Sequence, residues 1–189
     1  MPVFKAPIEL FCEVLYSATM CNNRGLTESA VLQIMESYGN DPQQLIAVLL
    51  DIQAGSGKNY VDRQWAELVS RVLNVPLSKI FDVLTFYAMF STTPRGEYVI
   101  EICQSAPCHF DKAAQVVGWF EAAAGITVGQ TSADGKITLE RTSCVGACDI
   151  GPVAKIGDDV FGNLSEEKAK ALIERCRAGN LQGAASCQN

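Results

Sequence analysis

The chain has 189 residues, of which 48% are hydrophobic and 19% are charged, a composition typical of one or two folded domains rather than of a disordered chain. Its 15 Lys and Arg against 21 Asp and Glu give a net charge of −6, which argues against a nucleic-acid partner and against a polybasic contact with a membrane surface. No apolar run reaches the roughly 18 residues that a membrane helix needs, so we expect no direct membrane insertion.

Eight cysteines are the most informative part of the composition. Glu9 and Glu13 interrupt the apolar stretch near the N-terminus, so we expect no signal peptide and a cytoplasmic location, either free or in a complex at the cytoplasmic face of a membrane. Structural disulfides are rare in that reducing compartment. Clustered cysteines in such a chain indicate metal binding or redox chemistry.

The first half, residues 1–92, is predicted to be a helical bundle. Apolar residues recur there at helical spacing in five segments, which are residues 7–20, 28–38, 43–53, 62–73 and 77–90. Proline-containing breaks at residues 40–42 and 74–76 separate the helices. We expect Phe86, Tyr87 and Phe90 to pack into this bundle, and residues 92–96 to form a linker in which Arg95 is solvated.

In the second half, residues 93–189, the spacing of the apolar residues changes. This half is predicted to be an α/β domain, which makes the whole chain α+β. Alternation over residues 97–103 predicts a strand, and residues 110–124 return to helical spacing. The turn signal Asp134–Gly135 precedes a second strand, and residues 152–161 resemble a hairpin. Ser165 is placed to cap a last helix, whose apolar stripe consists of Ala169, Leu172, Ile173 and Cys176. The order is β-α-β followed by a hairpin and a helix.

Four cysteines fall into two pairs, Cys103 with Cys108 and Cys144 with Cys148, in the pattern C-x4-C, 35 residues, C-x3-C. Each pair begins where a predicted strand ends, and two loops that leave the same edge of a sheet can converge on one centre. The small residues between Cys144 and Cys148 let backbone N–H groups approach an anionic group. Cys108 follows Pro107 near a predicted helix N-terminus, where a thiolate is favoured.

Four converging thiolates are compatible with more than one metal. A [2Fe–2S] cluster uses four cysteines, and structural zinc accepts the same set. A Rieske-type centre is excluded because it needs two histidines and His109 is the only one in the chain. No C-x-x-C motif is present, so we do not expect thioredoxin-type disulfide exchange. On spacing alone, the iron–sulfur cluster, zinc and the absence of a metal all stay open.

Motifs spread over both halves resemble the 24 kDa subunit family of NADH:quinone oxidoreductase (complex I), which has relatives in NAD-linked and electron-bifurcating hydrogenases and in NAD-dependent formate dehydrogenases. The resemblance spans residues 28–176 and rests on residues 85–90, 94–96, 103–109, 144–148, 151–153 and 162–164. It implies a helical bundle joined to a thioredoxin-like domain that holds one [2Fe–2S] cluster. It further implies that the cluster ligands are Cys103, Cys108, Cys144 and Cys148.

The same resemblance implies a role in electron transfer without catalysis by the chain itself. The chain lacks a G-x-G-x-x-G motif. By the same resemblance, FMN and NAD(H) are expected on a partner flavoprotein subunit, alongside further iron–sulfur subunits. A flavin is needed between them because it converts a hydride into single electrons. Two alternatives are a free-standing thioredoxin-like [2Fe–2S] ferredoxin, for which the helical half is superfluous, and a zinc-stabilised structural subunit.

Several features depart from the family or carry no assigned role. Residues 1–26, with Cys12 and Cys21, have no recognised counterpart, and Gly151 stands where the family often has alanine. Cys12 and Cys176 lie on apolar helical stripes, so we expect both to be packing residues. Cys187 lies in an unpatterned tail.

Overall fold

The computed structural model describes residues 26–110 and 112–181, and the chain divides into two compact units between Thr92 and Thr93. The described residues contain seven α-helices and a four-stranded mixed sheet, which confirms the predicted α+β class. The predicted helix over residues 7–20 lies outside the described residues, as do Cys12, Cys21 and Cys187.

From residue 26 onwards the first unit contains four α-helices, which correspond to the four predicted segments that lie within the described residues. They are α1 (Glu28–Ser37), α2 (Leu45–Gly55), α3 (Arg63–Leu73) and α4 (Leu77–Phe86), with a short 3₁₀ helix at Pro42–Gln44 before α2. Thr27 and Asp62 cap α1 and α3 by accepting hydrogen bonds from backbone N–H groups. Asn74 ends α3 in the left-handed conformation.

The apolar stripes of these helices form one core, in which Val31, Met35, Leu49, Val69 and Ile80 are fully buried. The buried amide of Gln53 ties the segment after α4 to this core. Its Nε2 donates to the Met89 carbonyl at 2.8 Å, and its Oε1 accepts from the Ser91 N–H at 2.9 Å. These two hydrogen bonds hold residues 89–91 against the helical core.

The three aromatic residues at the end of α4 differ in their burial. Phe90 is buried in the core as predicted, but Phe86 is 80% exposed and Tyr87 is 38% exposed. The prediction that Phe86 and Tyr87 pack into the bundle is therefore wrong. The helix ends at Phe86, and the Phe86 ring lies edge-on to Tyr87, with the ring centroids 5.0 Å apart.

The second unit is built around a sheet of strand order β2-β1-β3-β4. Its strands are β1 (Tyr98–Cys103), β2 (Ile137–Thr142), β3 (Ala154–Ile156) and β4 (Asp159–Phe161). The β1–β2 pair is parallel, whereas β1–β3 and β3–β4 are antiparallel. The predicted β-α-β unit, hairpin and final helix are all present.

Helices α6 (Ala113–Ala124) and α7 (Glu166–Arg177) share a core with the sheet. Ser165 caps α7 by accepting a hydrogen bond from the Lys168 N–H, as predicted. The predicted stripe of α7, including Cys176, is buried. Burial raises the pKa of the Cys176 thiol to about 12, which agrees with its expected role as a packing residue.

The segment after Cys103 forms two helices instead of the single helix predicted over residues 110–124. Helix α5 (Ala106–Phe110) is separate from α6. Lys112, at φ 68°, has the left-handed conformation at the start of α6. An α-helix does not continue through a residue in that conformation, so α5 and α6 are separate helices.

The C-terminal part of the predicted linker, Arg95 and Gly96, packs against strand β2. Arg95 Nη1 donates to Glu140 Oε2 at 3.2 Å, and its side chain is only 9% exposed, so the expectation that Arg95 is solvated is wrong. The next residue, Gly96, donates its N–H to Thr138 Oγ1 at 2.6 Å. A Cβ at Gly96 would lie 2.8 Å from the Lys136 and Ile137 backbone, so only glycine permits this approach.

None of the helices in the described ranges combines the length and the apolar character that crossing a bilayer requires.

We expect Arg95→Gln to lower the free energy of unfolding by about 2 kcal/mol, because it leaves a half-buried carboxylate without its charged partner. The matched control is Arg63→Gln, which breaks the Arg63–Glu67 pair, in which Arg63 is 76% exposed; its cost is at most about 0.5 kcal/mol. Urea denaturation of the two variants measures both values. Equal losses would contradict the structural role of the buried pair.

We expect the unfolding free energy of the wild type, relative to that of Cys176→Ser, to fall as the pH rises from 9 towards 12. The thiol ionises near its ordinary pKa of 9.0 when unfolded but stays protonated to about 12 when folded. The unfolded state therefore binds fewer protons in this window, so the contribution of Cys176 is complete below pH 9 and is lost above it. Paired denaturation curves at several pH values test this. A difference that stays constant with pH would contradict it.

Candidate metal centre

The two cysteine pairs lie at one edge of the sheet because β1 and β2 run parallel. Cys103 is the last residue of β1 and pairs with Thr142, the last residue of β2. Cys144 follows two residues later. The carboxyl ends of parallel strands meet at the same edge, so both cysteine loops begin at this edge of the sheet.

Cys103 and Cys108 form the buried pair, and each is 1% exposed. Cys103 donates its N–H to the Val153 carbonyl at 3.1 Å, and both Cys103 and the Val153 backbone lie close enough to Cys108 to affect the pKa of its thiol. Burial, followed by the contact with Cys103, raises the pKa of the Cys108 thiol. The expectation that a helix N-terminus favours this thiolate is therefore wrong. Cys108 is the third residue of the five-residue helix α5, and desolvation dominates.

Cys144 and Cys148 form the exposed pair, with their Sγ atoms 3.4 Å apart. The Gly146 N–H points at Cys144 Sγ at 3.4 Å, and Gly146 has φ 88°. This N–H, followed by the Cys148 side chain, lowers the pKa of Cys144, whereas the contact with Cys144 raises the pKa of Cys148. The two thiols of this pair are hydrogen-bonded to each other. The sequence predicts that backbone N–H groups of this loop can approach an anionic group, and the Gly146 N–H approaches the Cys144 sulfur.

The loop that carries the exposed pair packs directly on the buried pair. Val145, Ala147 and Ile150 contact a small apolar cluster formed by Cys103, Cys108, Ala113 and Val153. The two loops that carry the cysteine pairs are therefore in contact with each other.

By the chemistry of its donors, although not by the arrangement of the side chains, the set of four cysteines suits a binuclear iron–sulfur cluster. The thiols lie as two pairs, which is how a [2Fe–2S] cluster uses four cysteines, two on each iron. Across residues 26–110 and 112–181, no three His, Cys, Asp or Glu side chains are arranged to hold a metal ion. The five cysteines in those ranges are all free of disulfides.

The residues that surround the pairs are only partly evident from the sequence. Val153 and Ile150 contact the buried pair; Val153 belongs to one of the motifs that carry the family resemblance, whereas Ile150 has no such signal. His109 is exposed, and its ring lies edge-on to the exposed Phe110 with centroids 6.1 Å apart. Sequence spacing thus locates the cysteines, whereas their hydrogen-bond partners and their burial come from the fold.

Comparison with known proteins places this geometry in a family. The profile of the thioredoxin-like [2Fe-2S] ferredoxin family matches residues 31–177, which confirms the thioredoxin-like prediction. The HndA subunit of the NADP-reducing hydrogenase of Solidesulfovibrio fructosivorans is 29% identical over 76% of this chain and 82% of its own length. The E subunit of the NADH-quinone oxidoreductase of Rickettsia typhi is 32% identical over 72% of this chain and 80% of its own length.

Among solved structures, the chain is similar to an NAD+-reducing [NiFe]-hydrogenase in the air-oxidized state, with a TM-score of 0.63 and 27% identity. The match covers 72% of this chain but only 23% of the hydrogenase chain, so this protein corresponds to one part of that larger chain. The profile match, the relatives and the structural similarity agree: the chain belongs to the thioredoxin-like [2Fe-2S] ferredoxin family, and its cofactor is a [2Fe–2S] cluster.

Proposed function

We propose that this chain is an electron-transfer subunit of an NAD(H)-linked oxidoreductase complex. Its [2Fe–2S] cluster is bound by Cys103, Cys108, Cys144 and Cys148, and it exchanges single electrons with the flavin of a partner subunit. The observation that supports this proposal is the contact between the two cysteine-bearing loops at the carboxyl edge of the parallel β1–β2 pair.

The ligand assignment is supported by the chemistry of the four thiols. They come from two loops that touch each other, and the remaining described cysteine, Cys176, is buried in the separate core formed by α6, α7 and the sheet. The two pairs differ in spacing, with four residues between Cys103 and Cys108 and three between Cys144 and Cys148, but each pair lies within one short segment. The four thiols are therefore the soft-ligand set that an iron–sulfur cluster requires.

The protein groups around the thiols would tune the bound cofactor. A [2Fe–2S] cluster supplies one-electron redox chemistry. The Gly146 N–H points at Cys144 Sγ, and the Val153 backbone favours the ionised form of Cys108, so both groups stabilise negative charge on sulfur. Hydrogen bonds to the sulfurs and solvent exposure are the usual controls of the potential. The exposed pair leaves one side of the centre open to a redox partner.

The assignment to a complex rests on the relatives. They are named as subunits of NADH-quinone oxidoreductases and of an NADP-reducing hydrogenase. Hydride carriers and one-electron carriers need a flavin between them. We therefore place FMN and NAD(H) on a partner flavoprotein, with further iron–sulfur subunits beyond it. A reducing cytoplasmic compartment, in which cysteines stay free thiols, suits this role.

We expect Cys144→Ser to lose most of the bound iron and sulfide, with an affinity for the cluster at least about tenfold lower, because a hydroxyl replaces a thiolate ligand. Iron and acid-labile sulfide per protein, together with visible absorption, measure the loss. Unchanged absorption would contradict the ligand assignment. A colourless wild type with one zinc per chain would support the structural-subunit alternative.

The matched control is Cys176→Ser, the same chemical change outside the proposed ligand set. It places a hydroxyl in an apolar core and lowers the unfolding free energy by about 1–3 kcal/mol. We expect this variant to keep the iron and sulfide content of the wild type. A loss of iron equal to that of Cys144→Ser would show that the first result reports stability rather than ligation.

We expect the tagged chain, purified from its native host under mild conditions, to bring with it a subunit that contains flavin. The complex should reduce the cluster when NADH is added, because the flavin splits the hydride into single electrons. Flavin fluorescence after denaturation and the bleaching of cluster absorption are the measurements. The chain purified alone, with a full cluster and without flavin, would favour the free-standing ferredoxin instead.

A further inference from the structure

The segment Gly162–Leu164, which we name the strap, lies along the backbone of residues 150–152. The Asn163 N–H donates to the Ile150 carbonyl at 2.6 Å, and the Leu164 N–H donates to the Pro152 carbonyl at 3.4 Å. The strap follows β4 directly and leads into the Ser165 cap of α7. It therefore connects the hairpin and the last helix to the loop of the exposed cysteine pair.

Gly162 is the point at which the strap and this loop approach most closely. A Cβ built on Gly162 would lie 2.5 Å from the Ile150 carbonyl oxygen and 2.6 Å from each of Ile150 Cδ1 and Cγ1. These distances are far below a van der Waals contact, and the nearest atom belongs to the backbone, so it cannot rotate away. Close backbone approach is one of the two physical reasons for a fixed glycine, the other being a positive φ.

Ile150 transmits any displacement to both cysteine pairs. It is the last residue of the 3₁₀ helix Cys148–Ile150, so its carbonyl is two residues from Cys148. Its side chain packs against the cluster that contains Cys103 and Cys108. A shift of Ile150 thus moves one exposed cysteine directly and disturbs the packing of the buried pair.

The strap is also hydrogen-bonded to α7, which limits its movement away from Ile150. Lys168 Nζ of α7 donates to the Asn163 carbonyl at 2.9 Å and to the Gly162 carbonyl at 3.4 Å. Leu164 is buried in the core of the sheet unit. An added methyl group at Gly162 would therefore be accommodated mainly by movement of Ile150 and the loop that carries Cys148.

We propose that Gly162 is a positioning residue for Cys148: its missing side chain lets the strap lie on Ile150 and fixes the second cysteine pair relative to the first. The proposal rests on the assignment of Cys148 as a cluster ligand. Gly162 touches neither the thiols nor the cofactor site and acts through Ile150. Its effect should appear in the properties of the bound cluster as well as in stability.

The test compares Gly162→Ala with Gly118→Ala in the full chain loaded with its cluster. Gly118 lies in α6, and a Cβ there meets no atom within 4 Å, so this control adds the same methyl group in open space. For Gly162→Ala we expect an altered electron paramagnetic resonance spectrum of the reduced protein, a shifted reduction potential and about tenfold faster iron loss to a chelator. For Gly118→Ala we expect wild-type values.

A second variant keeps the test decisive if Gly162→Ala fails to fold. Lys168→Met removes the hydrogen bonds that hold the strap without adding an atom near Ile150. We expect a smaller change in the same spectrum and faster iron loss than in the wild type. If Gly162→Ala folds and keeps the wild-type spectrum and potential, with only its melting temperature lowered, the proposal is overturned. If Gly162→Ala does not fold, a wild-type spectrum and rate of iron loss in Lys168→Met overturns it.

Failure of the ligand assignment is a separate outcome. Cys148→Ser with a wild-type spectrum and full iron content would refute the assignment of Cys148 itself. A changed Cys148→Ser spectrum together with an unchanged Gly162→Ala spectrum would leave the assignment intact and refute only the positioning role.

Discussion

Parallel pairing of β1 with β2 is the constraint on which the rest of this structure depends. It aligns Cys103 with Thr142 and so brings to one edge two cysteine loops that are 35 residues apart in the chain. In an antiparallel pair, the ends of the two strands would lie at opposite edges of the sheet. The crossover through α5 and α6 makes the parallel arrangement possible, and the shared core of α6, α7 and the sheet stabilises it.

The edge of the sheet gives the two cysteine pairs different surroundings. Cys103 and Cys108 lie beneath an apolar layer, where burial raises the pKa of Cys108. Cys144 and Cys148 face solvent, where the Gly146 N–H lowers the pKa of Cys144. In the proposed centre, one cysteine pair is therefore buried in the protein and the other is open to solvent. This division suits a protein that passes electrons to a neighbour.

Much of the fold follows from local patterns, and the deviations have specific physical causes. Helical periodicity predicts α1 to α4, and the cap at Ser165 predicts α7, because both signals are local. The predictions for Arg95 and Phe86 are wrong because burial depends on which element packs nearby: Arg95 meets Glu140 on β2, whereas Phe86 ends its helix at the surface. The single helix predicted after Cys103 is interrupted at Lys112, whose left-handed conformation has no clear signal in its residue type.

The sequence by itself determined the secondary-structure order, the spacing of four cysteines and the family, since these depend on residue types along the chain. Only the tertiary structure decided which pair is buried, which backbone groups reach the sulfurs and why Gly162 has no room for a side chain. Those properties arise from contacts between segments that are far apart in the chain, such as the strap against Ile150. Local propensity contains no information about such contacts, because they exist only once the sheet, its crossover and its hairpin have packed together.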